Sequence, residues 1–496
     1  MPGRPNVVFV VMDSVSAKSF DSCLAQSVNR ERLSSFFASS VRFERALSTT
    51  NWTLPSHASL LSGTYPWRDG YSFERSFKPR PHSNSLPSAL RELGYCSSMF
   101  SSNQILGPVS GLTDAFDFFA WGTWGETSLR RGFSPEPPYQ SPAKQGAEVR
   151  TTSMKLLDWQ RLNPLFGDAS NFLPRHPMLL EVASRTFQRV RNPDSAVDFR
   201  VSPWIEPSLR RWLATIPEER PVFCLVNLME GHEPFLSEKE LSTGLRSRRR
   251  HVRQDRAGWL SGKWAPTQRD YDDLRSLYLE NLSRLGDRIS SIVAEFERAS
   301  RWDNTLLVLT SDHGQAFGEH GMLFHGNWVH DPEVRVPLFI RVPKTIERPQ
   351  LCENDWLSLS EIAPWILAVC EASEKNRTRA SAVSPTSVPR YVLSEGTPFS
   401  RAKAGDPHAS NRHLRSPWVA GYRGHSKACV ELWSHRSELY DLAADPLELS
   451  PRTQCTTSDE LELIKMVKGQ AGLIESRGVS DGNPSISDRL RGWGYL

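Results

Sequence analysis

The stretch Asn6–Ser14, NVVFVVMDS, decides the fold. A strand with one face in water alternates apolar and polar residues. A run that is apolar throughout is buried on both faces, as a strand of a parallel sheet is. The run therefore predicts a buried strand over residues 5–12, with Asp13 just past its carboxyl end. Pro221–Leu228 (PVFCLVNL) and Thr305–Thr310 (TLLVLT) repeat the pattern, and Val336–Val342 (VPLFIRV) reads as a further strand. Between them Ser85–Leu93 (SLPSALREL) reads as a helix stopped by Gly94. Asp270–Ala299 reads as one long helix, because Leu274, Tyr278, Leu282, Leu285, Ile289, Ile292, Val293 and Phe296 recur at helical spacing. Strands alternating with helices predict an α/β fold with a parallel sheet covered on both faces. In open sheets of this kind, sites form at the carboxyl ends of the strands.

The 496 residues suit one large α/β core with a smaller appended unit. The division expected is a catalytic domain over 1–373, with an irregular Pro-, Ser-, Arg- and Trp-rich insertion at about 121–220, and a C-terminal α+β subdomain over 374–496. With 60 Lys+Arg against 56 Asp+Glu, the net charge of +4 does not mark a nucleic-acid binder. No apolar run is long enough to span a bilayer, so no integral membrane segment is expected. Val7–Met12 is too short for a signal-peptide core and runs straight into Asp13, which favours the cytoplasm. The seven cysteines are scattered, odd in number and free of Cys-x-x-Cys pairs, as in a reduced chain. A basic run (Arg246, Arg248, Arg249, Arg250, Arg253, Arg256) is either a solvated loop or an electrostatic funnel for an anionic substrate.

The chemically active residues cluster at predicted strand ends and at one helix start. Asp13 ends the first strand, and Asp312 and His313 follow Thr305–Thr310. Thr53 opens TLPSHASLLSG, where Pro55 suits a first helical turn and Gly63 a helix end. That places its hydroxyl beside a helix N-terminus, which favours anions. Asp13, Thr53, Asp312 and His313 can converge on one divalent ion, and oxygen ligands with one imidazole suit Mn²⁺, Mg²⁺, Ca²⁺ or Zn²⁺. His232, after the second strand, is a candidate general acid or oxyanion donor. Among Glu319, His320, His325 and His330 in a Gly-rich loop, His325 is the first choice for touching substrate. Together these residues point to attack of a metal-activated oxygen on a charged ester.

With these residues in view, the chain resembles a sulfatase-type member of the alkaline phosphatase superfamily over most of its length. PNVVFVVMDSVSA resembles the family's opening strand, TLPSHASLLSGTYP its Cys/Ser-x-Pro-Ser-Arg signature, and DNTLLVLTSDHGQAFGEHG its metal-binding strand. ELYDLAADPLE and the terminal RLRGWGYL resemble its ending. The resemblance implies an α/β/α sandwich with a mixed, mostly parallel sheet and a small C-terminal subdomain. The departures are specific. Thr53 stands where sulfatases carry the Cys or Ser oxidised to formylglycine, and oxidation of Thr would give a ketone. Ser14 replaces an Asp, His57 replaces the signature Arg, and His313 replaces an Asn. No Lys-x-His segment is visible near Ser101–Gln104, where Asn103 can contact substrate instead, as His57 can. A Thr nucleophile resembles the phosphodiesterase and head-group-transferase branches. The absence of an Asp-x-x-x-His pair near the strand ends favours a single metal. The expected activity is metal-dependent hydrolysis of a small sulfate or phosphate ester, free or linked to a glycan or lipid, with phosphorus favoured. Head-group transfer to a glycan or lipid acceptor, and non-catalytic binding of an anionic glycan, are the alternatives.

Overall fold

The computed structural model describes residues 4–24, 30–69, 85–107, 110–122, 129–131, 204–237, 252–260, 262–346, 356–372, 391–396, 417–432 and 434–476. Its centre is β1 (Asn6–Met12), buried along its whole length. Burial on both faces requires strands on both sides, because in-sheet neighbours must satisfy its N–H and C=O groups. On one side lies β6 (Val222–Leu228) and on the other β7 (Thr305–Ser311), both parallel to β1. Met12 pairs with Leu228 and with Ser311, so the three strands end in register. Asp13, Met229 and Asp312 therefore leave the sheet side by side. β3 (Cys96–Ser101) pairs parallel with β6, and β4 (Phe118–Gly122) parallel with β3. Three edge pairings are antiparallel: β5 (Leu129–Arg131) on β4, β8 (Leu338–Arg341) on β7, and β2 (Ser40–Arg42) on β8. The eight-stranded order is β2-β8-β7-β1-β6-β3-β4-β5.

Period-2 alternation sends β1's side chains into two separate cores. Val7, Phe9 and Val11 pack with α1 (Thr53–Ser62), α2 (Leu86–Glu92) and α6 (Ile362–Glu371), through Leu54, Ala58, Leu90, Ile366 and Val369. Val8, Val10 and Met12 pack with α3 (Ile205–Ala214), α4 (Gln268–Ser283) and α5 (Leu285–Arg298), through Leu209, Leu274, Tyr278, Ile289 and Phe296. The result is the α/β/α sandwich with a mixed, mostly parallel sheet. A small antiparallel sheet follows, β9 (Val392–Gly396), β10 (Trp418–Arg423), β11 (Ser426–Glu431) and β12 (Ser437–Asp441), covered by α7 (Ser458–Ser476). Phe9 has no exposed surface and meets Phe223 edge-on at 5.4 Å. Phe9→Ala is expected to cost about 3–5 kcal/mol, read as a lower denaturation midpoint at unchanged m-value.

Several expectations are corrected. Asp270–Ala299 is two helices, not one. The chain turns at Arg284, whose N–H bonds Asn281 O at 3.3 Å in an i→i−3 contact, and the Asn281 side chain accepts from the Arg284 guanidinium and donates to Leu236 O. The break is silent in the periodicity, because all eight apolar positions remain buried across it. The strand expected over Val336–Val342 is shorter and antiparallel, since an apolar run carries no sense of direction. Most of the 121–220 insertion, the 373/374 boundary and Arg246–Arg250 lie outside the described residues; α3 occupies the end of the insertion. Arg256 is no solvated loop residue: it is buried against Glu233. Cys96, Cys224, Cys370, Cys429 and Cys455 are free thiols. Among the described residues, no helix is long and apolar enough to cross a membrane.

Candidate active site

The in-register strand ends bring the predicted carboxylates together. Asp13 N–H donates to Leu228 O at 2.7 Å and Asp312 N–H to Met12 O at 3.3 Å, which carries the sheet one residue past the named strands. The β6 exit passes so close that a Cβ on Gly231 would lie 2.4 Å from Asp13 O, so only glycine fits there. Ser14 takes a left-handed conformation (φ 61) and ties the two acids together. Its N–H donates to Asp312 Oδ1 at 3.0 Å and its hydroxyl to Asp13 Oδ1 at 2.9 Å, while its carbonyl accepts from Tyr278 at 2.9 Å.

Thr53 is the first residue of α1, with Trp52 ahead of it and no side-chain cap. Its hydroxyl is therefore not spent on its own helix. Oγ1 lies 3.5 Å from Asp13 Oδ2 and 3.3 Å from His313 Nε2. Ser56, one turn on, donates to Asp312 O at 2.6 Å and clamps α1 to the end of β7. His57 turns Nδ1 to Thr53 O at 2.9 Å and stands 3.7 Å from Asp312 Oδ2. Asn103, two residues past β3, donates to Asp13 Oδ2 at 2.8 Å, so its amide buttresses a carboxylate. His325 and His232 complete the rim. The His325 ring lies 4.5 Å from that of His313 and 4.9 Å from that of His232. His320 and His330 instead stack on each other beside Glu448, and Glu319 pairs with Arg275.

The electrostatics follow from burial. Asp312 is held well above the usual carboxylate range, first by burial and then by the Asp13 charge. Burial also pushes Asp13 upward, but the combined pull of His232, His313, the Asn103 amide and His57 takes it below that range. Burial lowers His313 to about 4 and carries His57 and His325 down as well. These imidazoles are neutral at pH 7. Ligand atoms of Asp13, Asp312 and His313 all lie within 4.8 Å of one another. Asp312 Oδ2 is buried without a hydrogen-bond partner. Two adjoining buried carboxylates with an unused oxygen need a cation or a proton between them, and this donor set fits a hard or borderline divalent ion.

Sequence reasoning missed the groups behind this rim. Glu333 accepts from Asn327 N–H at 2.9 Å and Nδ2 at 3.1 Å, and its own carbonyl accepts from Gly314 N–H at 2.7 Å. Burial raises its carboxyl to about 7. Glu333→Ala is expected to destabilise by about 1–3 kcal/mol for each buried donor left unpaired, measured as thermal unfolding. Arg256 and Glu233 were also missed as a pair, since 23 residues separate them and charged residues on loops are usually solvated.

The sulfatase family model matches residues 5–370, and the chain belongs to the sulfatase family. It is 21% identical over 491 residues to an N-acetylglucosamine-6-O-sulfatase of Bacteroides thetaiotaomicron, covering 90% of this chain and 82% of that protein. It is 20% identical over 402 residues to a choline-sulfatase of Rhizobium meliloti, covering 73% of this chain and 70% of the relative. Among solved structures, a 2-O GAG sulfatase superposes with a TM-score of 0.59 at 12% identity, over 98% of this chain and 96% of that one. A phosphonate monoester hydrolase of Agrobacterium radiobacter superposes with a TM-score of 0.53 at 17% identity, over 96% of both chains.

Proposed function

We propose that this sulfatase-family chain is a metal-dependent hydrolase of sulfate or phosphate esters, with Thr53 as nucleophile and without formylglycine. The observation that carries the reading is the Thr53 hydroxyl, uncommitted to its helix and placed between Asp13 and His313. A divalent ion held by Asp13, Asp312, His313 and Thr53 would supply charge stabilisation and make the hydroxyl easier to ionise.

The chain's own groups do the rest. Thr53 Oγ1 attacks the central S or P atom, and the N-terminus of α1 favours the equatorial oxygens. His313 stays neutral down to about pH 4, so it remains a lone-pair donor across the physiological range. His57 lines the approach and orients the ester, and Asn103 holds Asp13 in place. His232 or His325 delivers a proton to the leaving oxygen. Water then releases the product from Thr53. Phosphorus esters are the favoured substrates, since Thr53 cannot form the aldehyde hydrate of formylglycine sulfatases. The names of the relatives point to glycan-linked or small anionic esters as the natural class.

The test is turnover of aryl sulfate, aryl phosphate, aryl phosphodiester and phosphonate monoester, each with Mn²⁺, Mg²⁺, Ca²⁺ or Zn²⁺. Thr53-dependent turnover of the phosphorus esters is the expected result. Turnover of the sulfate alone would overturn the preference for phosphorus. No turnover of any of them, in protein shown to bind metal, would sink the hydrolase reading.

A further inference from the structure

Ser14 commits one oxygen of each aspartate. It has no exposed surface, and its left-handed backbone (φ 61) is uncommon for a residue with a β-carbon. In that conformation its backbone and its side chain donate to different carboxylates. The N–H meets Asp312 Oδ1 at 3.0 Å, and the hydroxyl meets Asp13 Oδ1 at 2.9 Å. His313 N–H also donates to Asp312 Oδ1, at 2.8 Å. A carboxylate oxygen has two lone pairs, so Oδ1 of Asp312 is fully used. Oδ2 of Asp312 is buried, makes no hydrogen bond and lies 3.5 Å from His313 Nε2. Oδ2 of Asp13 lies 3.5 Å from Thr53 Oγ1 and accepts from the Asn103 amide at 2.8 Å. Both Oδ1 atoms therefore face Ser14, while Oδ2 of Asp13 faces Thr53 and Oδ2 of Asp312 faces His313. On Asp13 the Ser14 hydroxyl is the donor that holds Oδ1 back.

The number of oxygens a carboxylate gives helps to select the ion. Ca²⁺ gathers about six to eight oxygen ligands and often takes both oxygens of a carboxylate. Smaller ions, Zn²⁺ above all, need fewer ligands and take imidazole nitrogen readily. We propose that Ser14 is a positioning residue that selects the ion: its two donors hold Asp13 and Asp312 to one oxygen each, which favours a small divalent ion with an imidazole ligand over Ca²⁺. The inference rests on the metal site given above and deepens it by assigning the choice of ion to a residue outside the ligand set. Hydrogen bonds to ligating carboxylates commonly tune a site in this way. An aspartate in place of Ser14 would add a third carboxylate and lose the hydroxyl donor, which is the opposite bias.

The experiment titrates Zn²⁺, Mn²⁺ and Ca²⁺ separately into chelator-treated protein and reads affinity by calorimetry, apart from any turnover. The unaltered chain should bind Zn²⁺ and Mn²⁺ more tightly than Ca²⁺. Ser14→Gly suits the left-handed backbone and keeps the N–H, so it removes the hydroxyl alone. It should lose roughly 10–100-fold in Zn²⁺ and Mn²⁺ affinity and less in Ca²⁺ affinity. Ser14→Asp should gain affinity for Ca²⁺. A preference for Ca²⁺ in the unaltered chain would overturn the proposal. So would an equal change for all three ions in Ser14→Gly, which is what a merely structural role predicts. Infrared difference spectra of the metal-loaded, unaltered chain give a check that needs no variant to fold. Ligation through one oxygen widens the gap between the antisymmetric and symmetric carboxylate stretches, and ligation through two narrows it. A widened gap is expected, and a narrowed one would overturn the proposal. Binding of no ion by the unaltered chain, or binding undiminished in Asp312→Asn, would defeat the metal site itself and the proposal with it.

Discussion

Thr53→Ala is expected to lower kcat/KM on the best aryl ester by at least on the order of 10³-fold, or ~4 kcal/mol of transition-state stabilisation. The side chain has two roles at once. Its oxygen is the proposed attacking atom, and it lies 3.5 Å from Asp13 and 3.3 Å from His313 among the proposed metal ligands. The fold should survive, because no side-chain cap of α1 is lost and the helix is pinned independently by Ser56 on Asp312 O. Thr53→Ser keeps the hydroxyl and is expected to retain measurable turnover. Stopped-flow release of 4-nitrophenol would check both. A Thr53→Ala protein with near-normal rates would remove threonine from the chemistry and leave a water or a histidine as nucleophile.

Asp312→Asn is expected to cost more metal affinity than the roughly 10–100-fold typical of outer partners, with turnover lost in parallel. The same substitution should have the opposite effect on the metal-free protein. There, burial and the Asp13 charge hold the Asp312 carboxyl well above its ordinary value of 3.8. The folded state then binds more protons than the unfolded chain above that pH, so this residue's contribution to stability falls as pH rises through the raised value. A neutral amide in its place carries no such liability. In chelator, the melting temperature of the Asp312→Asn variant should therefore gain on that of the unaltered chain as pH rises above 3.8. Adding a divalent ion at about 100 times its Kd should restore about 2.7 kcal/mol to the unaltered chain. The ion should do nothing for the variant. Stability independent of metal in both proteins would argue against an ion between Asp13 and Asp312.

Much of the architecture was legible because burial on both faces leaves an unmistakable composition. Residues 6–12, 222–228 and 305–311 could be read as central strands, and their carboxyl ends as the site rim. The direction of Leu338–Arg341 was not legible, because apolar side chains pack equally well either way along an edge. Nor was the turn at Arg284, where the buried stripe runs on without interruption while the backbone tightens. In the site, Asp13, Thr53, Asp312 and His313 announced themselves by position after strands and before a helix. Asn103 was expected to meet substrate, yet its amide donates to Asp13; the residue type specified a donor and the fold chose the acceptor.

What the sequence by itself determined is the family and the central parallel strands, since these depend on local composition and on residues adjacent to it. What only the tertiary structure decided is how charges far apart in the chain are paired. Ser14 bridges two aspartates from opposite ends of the catalytic core because β1 and β7 end in register. Arg256 reaches Glu233 and the His325 carbonyl because the short helix Arg256–Leu260 and the loop after β6 meet at the same rim. An ionisable side chain looks alike in a sequence whether it is solvated or buried. Its chemistry is set by the partners that burial forces upon it, and those are fixed only when the strands and loops have met.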